Sequence, residues 1–304
     1  MATRGGFQPG EDASRYDQVS AGVEEHSHLF RPLVQRMISV AALKPGERLL
    51  DVGCGTGVIA NQAARRVRPK GQVVGLDISE GMLVRARADA IRRGVHGWVD
   101  YRVGDAEALP FTDGSFDCVM CLFTFMHLPQ PERAVSDMYR VLSPRGRVVI
   151  GVGSGAPTTL FRGWIHRAFR VADKIDERRG RVLTVPDLLN SLVRTHFHVP
   201  EAHGVVPARW TNPIQSLTRL ISHAGFREVK YDWEGCVASF ADPEEFWEVQ
   251  NTYSSFARQR LIEAPPEKVA GIRAEFFEKC ETVLSRGGRL IYPIGAIFVT
   301  GHKP

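Results

Sequence analysis

Short apolar runs alternate with amphipathic stretches along most of this chain, and the alternation predicts the order of its elements. Helical spacing of apolar residues is found at 28–43, 58–68, 80–93, 131–142 and 214–223. The apolar runs predict strands at 49–52, 73–77, 98–103, 116–122, 147–152, 226–231 and 289–300. Strands that alternate with helices in this way indicate an α/β fold with a doubly wound, mostly parallel sheet of seven strands.

A glycine-rich loop follows the first strand. Gly53, Gly55 and Gly57 stand at alternate positions directly before the helix predicted from Val58. A strand, a glycine turn and a helix N-terminus together let a ligand approach bare backbone N–H groups. Asp51 ends the strand, and a buried carboxylate is costly unless a cation or a hydrogen-bond donor meets it. A ligand that carries an ammonium group would meet this need.

Acidic residues also mark the ends of the next two strands. Asp77 ends the second strand, about twenty residues after Gly57, where an acid in an α/β nucleotide fold accepts hydrogen bonds from ribose hydroxyls. Asp105 follows the third strand. A dinucleotide dehydrogenase is the rival interpretation, but it needs a glycine where this chain has Val58. Any one of these acids alone is typical of a turn or a helix cap, whereas three at successive strand ends are not.

The acids and the glycine loop resemble those of the class I S-adenosylmethionine-dependent methyltransferases. The chain is most similar to the branch that contains the ubiquinone and menaquinone C-methyltransferases and many natural-product methyltransferases of small molecules. The similarity covers residues 16–152 and 295–304. Within these ranges, the segments 43–48, 108–111 and 140–146 also match motifs of the family. It implies a Rossmann-like methyltransferase fold whose last strand runs antiparallel between the fifth and the sixth.

The resemblance also implies a binding site for S-adenosylmethionine, with S-adenosylhomocysteine as the product. Asp51 and the glycines Gly53, Gly55 and Gly57 would hold the methionine part, Asp77 the ribose hydroxyls and Asp105 the adenine amino group. The other residues predicted to line the cofactor are Cys54, Ile78, Met82, Ala106, Cys121, Leu122 and Phe123.

Two residues are candidates for the catalytic step. His127 lies a few residues past the fourth strand, where related small-molecule methyltransferases often have a histidine. It could take a proton from the acceptor at neutral pH, or it could be a structural residue of the loop. Tyr16 resembles a tyrosine of the N-terminal segment that folds over the cofactor in this branch, and its alternative role is local packing.

Two insertions interrupt the similarity to the family. We divide the chain into a cofactor-binding core with an N-terminal cover segment (1–152), a first insertion (153–213), the region of the sixth strand (214–241), a second insertion (242–288) and the last strand (289–304). The second insertion is predicted to form two helices split at Pro265-Pro266. Both insertions are rich in aromatic residues, so we predict a helical lid over a pocket for an apolar or aromatic acceptor. Residues 1–14 are predicted to be loose.

These observations predict an enzyme that transfers a methyl group from S-adenosylmethionine to an O, C or N atom of a small molecule. The alternatives are a non-catalytic or regulatory protein that keeps the cofactor fold, or a methyltransferase of RNA or protein. The net charge of +5 is a weak basic bias. Its arginine clusters are typical of solvated helix faces rather than a phosphate track. The Pro-Pro-aromatic signature of base amino methylation is missing after the fourth strand, which argues against nucleic acid.

Composition adds expectations about the setting of the protein. The 304 residues are 43% hydrophobic and 24% charged, which is ordinary for a globular protein. No apolar run approaches the roughly 20 residues of a membrane span, and the N-terminus lacks the apolar segment of a signal peptide. Five cysteines without paired spacing suit a reducing cytoplasm. Cys118 and Cys121 share one strand and point to opposite faces, so no metal site is predicted. A homodimer is left open.

Overall fold

One mixed sheet with helices on both faces forms the centre of the molecule. The computed structural model describes residues 9–155, 175–184, 187–199 and 212–304. The strands are β1 Arg48–Val52, β2 Gln72–Asp77, β3 Val99–Val103, β4 Phe116–Leu122, β5 Leu142–Gly153, β6 Val182–Thr184, β7 Arg227–Phe240 and β8 Arg289–His302. The helices are α1 Pro9–Glu25, α2 Arg31–Ala41, α3 Val58–Val67, α4 Glu80–Arg92, α5 Pro131–Val141, α6 Asp187–Phe197, α7 Pro213–His223, α8 Pro243–Tyr253, α9 Ser255–Ile262 and α10 Pro266–Ser285. Two 3₁₀ helices span His26–Phe30 and Phe125–His127.

The strand order confirms the predicted topology. The order is β3-β2-β1-β4-β5-β8, with β1 to β5 parallel and β8 antiparallel to both β5 and β7. The seven predicted strands are all present, and β8 lies between the fifth strand and β7 as the resemblance implies. An additional three-residue strand, β6, pairs with the start of β8. The order reverses between β1 and β4, and ligands of open α/β sheets bind at the carboxyl ends of strands beside such a reversal.

Two hydrophobic layers explain why the central strands are mostly apolar. Successive side chains of β4 enter opposite layers, with Cys118 in one and Val119 in the other. Helices α2, α3 and α4 cover the first face, and α5 and α7 cover the second. A strand covered on both faces has no need of polar positions. Cys121 lies in the layer opposite Cys118, which confirms that the two thiols point to different faces.

Three predictions of local structure need correction. Residues 9–14 belong to helix α1, which packs on α4, whereas they were predicted to be loose. The second insertion forms three helices rather than two, because the side chain of Ser254 caps a new helix by accepting from the N–H of Ala257. The sixth strand was predicted to end at Tyr231 but continues to Phe240, because β8 pairs with it along its whole length.

The described parts of the two insertions pack together. Helix α6 of the first insertion contacts α9 and α10 of the second, and α8 contacts α1. The N–H of Leu189 donates to the buried side-chain oxygen of Gln250, 3.1 Å away, which joins the two insertions by a polar contact as well. The rest of the predicted first insertion (156–174, 185–186 and 200–211) lies outside the described residues. Within the described ranges, no helix has both the length and the apolarity to cross a membrane.

We expect Gly57→Ala to destabilise the protein more than a typical loss of glycine. The φ of Gly57 is +78°, and an added Cβ would lie 2.3 Å from the hydroxyl oxygen of Tyr101. That hydroxyl is buried and donates to Asn61, 2.8 Å away, so it has little room to move. Left-handed backbone costs roughly 1–2 kcal/mol, and overpacking adds about 1–3 kcal/mol.

Gly94→Ala is the matched control, because Gly94 has a similar φ of +64° with no atom within 4 Å of an added Cβ. Urea unfolding of both variants measures the difference. Equal losses of unfolding free energy would show that Tyr101 moves aside without cost.

Candidate functional site

A buried carboxylate lies at the carboxyl end of the central strand β1. Asp51 is 1% exposed, and its Oδ2 accepts from the N–H of Ala60 in the first turn of α3, at 3.1 Å. Its Oδ1 is buried and has no hydrogen-bond partner among the described residues. Burial raises the pKa of Asp51 to about 7, with a further contribution from the Asp77 carboxylate, while the Ala60 N–H acts in the opposite direction. An unpartnered buried oxygen is costly, so this position suits a ligand that brings a donor.

The glycine loop holds its backbone open beside this carboxylate. The N–H groups of Gly53 and Cys54 both donate to the carbonyl of Leu76 in β2, at 2.7 and 3.0 Å. Gly55 has a φ of +52°, and an added Cβ would meet no atom within 4 Å. The loop is therefore fixed to the sheet on one side and faces open space at Gly55. Gly53 is required both by its φ of +66° and by lack of space, because an added Cβ would collide with the side chain of Thr124.

The Asp77 carboxylate connects the loop to the next strand. Its Oδ2 accepts from the N–H of Gly55 at 2.8 Å, and its Oδ1 accepts from the N–H of Ser79 at 3.0 Å. Burial raises the pKa of Asp77, the two backbone N–H groups oppose this, and the nearby Asp17 carboxylate raises it further. A carboxylate with both oxygens held in place and acceptor capacity left over is suited to fixing a polyhydroxyl ligand.

Helix α1 packs along α4 and brings Tyr16 to the site. Asp17 accepts from the N–H of Gly81 at 2.9 Å and from the hydroxyl of Ser79 at the N-terminus of α4. Further along α1, Glu24 pairs with Arg85 and Arg92, at 2.8 and 2.6 Å. The hydrogen bond from Arg85 is the largest cause of a lowered pKa of Glu24. The carboxylates of Asp17 and Glu24 thus hold the N-terminal segment against α4.

The two candidate catalytic residues meet. The rings of Tyr16 and His127 lie 6.0 Å apart, centroid to centroid, in an edge-to-face arrangement. His127 ends the 3₁₀ helix that follows β4, and it is exposed. Tyr16 and His127 are far apart in sequence, so no local pattern predicted that their rings would be in contact. The geometry alone is compatible with a proton acceptor and with a residue that holds Tyr16 in place.

An aromatic row begins where β4 ends. Phe123 has a φ of +63°, an uncommon conformation for a bulky residue, and its N–H donates to the carbonyl of Gly151 at 2.8 Å. Its ring lies 5.7 Å from that of Phe30, which in turn lies 4.7 Å from Tyr253 in α8. Strained backbone of this kind is concentrated at ligand sites. The row joins the core, the N-terminal segment and the second insertion.

The other predicted cofactor residues differ in how they could reach a ligand. Asp105 is partly buried, its Oδ1 accepts from the N–H of Glu107 at 2.8 Å, and the N–H of Gly104 ties this segment to the carbonyl of Asp77. The Cys121 side chain is fully buried in the core, so any contact would come from its backbone. The remaining residues lie on the same edge of the sheet, buried in the case of Cys54, Met82 and Ala106 and half-buried in the case of Ile78 and Leu122.

Sequence reasoning missed three polar residues of the site. Ser79 caps α4 by accepting from the N–H of Met82 at 3.1 Å, and a serine directly before a predicted helix is a signal that could have found it. The hydroxyl of Thr124 lies 3.3 Å from the carbonyl oxygen of Gly53 and donates to it. Neither Thr124 nor Asp17 has a local signal, because each contacts a segment distant in sequence.

We expect Asp17→Ala to loosen α1. The change removes the acceptor of the Gly81 N–H and of the Ser79 hydroxyl, and a hydrogen bond to a charged group contributes about 1.5–3 kcal/mol. Hydrogen exchange of the amides in residues 16–25 should become at least about tenfold faster. Glu80→Gln is the control, because Glu80 pairs with Arg87 on α4 and has no part in holding α1. Unchanged exchange in Asp17→Ala would mean that packing alone holds the helix.

Comparison with known proteins gives this arrangement a family. Residues 50–150 match the family described as a methyltransferase domain. The chain is 30% identical to nocamycin O-methyltransferase from Saccharothrix syringae, over 95% of each chain. It is 37% identical to a ubiquinone/menaquinone biosynthesis C-methyltransferase from Pseudomonas entomophila, over 45% of this chain and 53% of that one.

A solved structure agrees at the level of the fold. Phosphoethanolamine N-methyltransferase 2 from Haemonchus contortus, in complex with S-adenosyl-L-methionine, superposes with a TM-score of 0.54 at 18% identity, covering 99% of this chain and 61% of that one. The match to nocamycin O-methyltransferase, which covers 95% of each chain, establishes the family of this protein. The chain belongs to the class I S-adenosylmethionine-dependent methyltransferases, among those that act on small molecules.

Proposed function

We propose that this enzyme methylates an oxygen atom of an apolar, ring-bearing small molecule. The observation that carries the proposal is the extent of the two matches. The similarity to the C-methyltransferase is limited to 45% of this chain, whereas the similarity to the O-methyltransferase covers 95% and therefore includes the insertions. Acceptor choice belongs to segments outside the cofactor core. No comparison supports a non-catalytic protein or a methyltransferase of RNA or protein.

The residues present fit S-adenosylmethionine. The unpartnered Oδ1 of Asp51 would accept from the ammonium of the methionine part, and the open backbone at Gly55 would lie against that part. Asp77 would hold the ribose hydroxyls and Asp105 the adenine amino group. When bound, the cofactor supplies a methyl group already activated on a sulfonium. The protein then mainly has to position the acceptor and exclude water.

The aromatic row suits one wall of the acceptor site. Phe123 leaves β4 next to the glycine loop, and Phe30 and Tyr253 continue the row away from the core. Burial raises the pKa of the Tyr253 hydroxyl, which lies 3.5 Å from the carbonyl oxygen of Val23 and donates to it. This bond fixes the ring of Tyr253 and leaves its face for packing. Fixed aromatic faces favour a flat apolar acceptor.

Helix α1 and the two insertions would act as the cover. The polar contacts of Asp17 and Glu24 with α4 are side-chain hydrogen bonds and ion pairs that remain partly exposed. Such contacts are individually weak, so the helix can open for exchange of cofactor and product at small cost. In this division of the chain, residues 1–152, which include the N-terminal cover segment, form the core with 214–241 and 289–304, and residues 153–213 and 242–288 form the lid. Cytoplasmic location is part of the same proposal.

The direct test is turnover with a panel of acceptors. Matched aromatic compounds that carry a hydroxyl, a carboxyl, an amine or only ring carbons are incubated with the enzyme and S-adenosylmethionine, and S-adenosylhomocysteine and products are measured by mass spectrometry. We expect O-methylated products only. Asp77→Ala is the control for cofactor dependence. Products methylated on carbon or nitrogen would contradict the proposed acceptor atom but not methyl transfer.

Cofactor binding should strengthen as pH rises towards 7. The pKa of Asp51 in the free protein is about 7 because of burial, and a ligand ammonium favours the ionised carboxylate. Binding therefore releases a proton below pH 7, and the affinity for S-adenosylhomocysteine should rise between about pH 5.5 and 7 and then level off. Calorimetry at several pH values, in two buffers of different ionisation enthalpy, measures both effects.

Two variants separate this effect from general charge effects. Asp51→Asn keeps the shape of the side chain and should abolish the pH dependence while weakening binding about 10- to 100-fold, since a hydrogen bond to a charged group contributes about 1.5–3 kcal/mol. Asp100→Asn removes an exposed carboxylate of β3 and should leave both unchanged. A pH dependence that survives in Asp51→Asn would assign the proton to another group.

We expect His127 to position Tyr16 rather than to act as the base. A phenolic acceptor can lose its proton unaided, and alignment of the reactants contributes about 7–11 kcal/mol to lowering the barrier. His127→Ala should then reduce turnover less than tenfold, compared with about 10²–10⁴-fold for loss of a general base. His127→Phe keeps a ring against Tyr16 and should restore activity. A pH limb that disappears in both variants would instead make His127 the base.

A further inference from the structure

Three metal-ligating side chains meet where the N-terminal segment contacts the second insertion. Glu25 ends α1, His26 begins the next 3₁₀ helix, and Glu248 lies in α8. One ligand atom from each residue lies within 4.8 Å of the other two. Glu25 and Glu248 are exposed, whereas His26 is 3% exposed. None of these residues takes part in the cofactor site or in the aromatic row.

A backbone carbonyl orients the imidazole of His26. Its Nδ1 lies 2.9 Å from the carbonyl oxygen of Gly22. A carbonyl only accepts, so the proton of the neutral ring is on Nδ1 and the lone pair is on Nε2. Metal-binding histidines are typically oriented by such a bond from the other ring nitrogen. Within the described ranges, no group forms a hydrogen bond with Nε2.

The carboxylates of Glu25 and Glu248 lie close together with no cationic side chain paired to either of them in the described part of the chain. Within the part of the chain that the structure describes, neither Glu25 nor Glu248 forms an ion pair, although the cluster brings their side chains together. Neither lies within salt-bridge distance of the His26 ring, so a charged imidazolium is not what joins them. Two like charges placed close together repel, and a bound cation removes that cost.

We propose that Glu25, His26 and Glu248 bind a divalent transition-metal ion, with Zn²⁺ as the preferred ion. One imidazole nitrogen with two carboxylate oxygens is a ligand set suited to Zn²⁺, whereas Mg²⁺ and Ca²⁺ prefer oxygen ligands alone. Because both carboxylates are exposed, water completes the coordination. The ion fastens the C-terminal end of α1 to α8 and so strengthens the cover at a point distant in sequence from Asp17. This site does not depend on the proposed acceptor or on methyl transfer.

Calorimetric titration of the metal-free 304-residue chain with ZnCl₂, without cofactor, tests the site. We expect one Zn²⁺ per chain and an affinity at least about tenfold weaker in Glu25→Gln and in Glu248→Gln, since even outer partners of a metal change affinity 10–100-fold. Glu245→Gln is the matched control, because Glu245 is exposed on the same helix and lies outside the cluster. Hydrogen exchange at residues 20–28 and 244–252 should slow when Zn²⁺ is added.

Three results would overturn the proposal. Absence of Zn²⁺ binding to the wild type is the first, and unchanged binding in both glutamate variants, as expected for zinc on cysteines elsewhere, is the second. The third is Mg²⁺ binding as tight as that of Zn²⁺, which would exclude the imidazole ligand. His26→Gln should abolish binding, and because this residue is buried its folding is checked by circular dichroism. If His26→Gln does not fold, the Glu25→Gln and Glu248→Gln variants still decide the test, because both glutamates are exposed.

Discussion

The position of one carboxylate, Asp51, governs how the rest of the site is built. It lies at the end of a strand flanked on both sides by parallel neighbours, so burial is forced on it by the sheet. The first turn of α3 satisfies one oxygen, and the other is left for a ligand. A buried acceptor without a partner costs about 1–3 kcal/mol. The free protein carries this cost and recovers it when a donor binds, which links ligand binding to the stability of the sheet edge.

The cover solves a second problem, because a site closed tightly enough to exclude water must still exchange its ligands. Asp17 and Glu24 fasten α1 by contacts with one helix, α4, and leave the sheet untouched. The Glu24 ion pairs are partly exposed, so their net contribution is small and screened by salt. Opening of α1 can therefore occur without unfolding the core. A metal ion at the far end of α1 would shift the same equilibrium towards the closed form.

The sequence was sufficient for the core and insufficient for contacts between distant segments. Apolar runs and glycines are local signals, so the strands, the loop at Gly53 to Gly57 and the acids at strand ends were predictable. The roles of Asp17, Phe30 and Glu248 depend on partners far away in the chain, which no periodicity encodes. The continuation of β7 to Phe240 is a similar case, since it follows from pairing with β8 rather than from its own pattern. The start of helix α9 after Ser254 did have a local signal, a serine before the helix, but the second insertion was divided only at its prolines.

The cofactor residues and the aromatic row lie in different parts of the chain, and this explains how acceptor choice can vary within one fold. Asp51, Asp77 and the glycine loop are fixed to the central strands, and none of them belongs to an insertion. The aromatic row contains only one residue of the core, Phe123, whose backbone conformation is held by its N–H bond to Gly151. Phe30 and Tyr253 belong to the N-terminal segment and the second insertion, so substitutions there can reshape the acceptor wall while the methyl donor keeps its position. The precision that methyl transfer requires thus comes from the sheet, and selectivity comes from the segments packed against it.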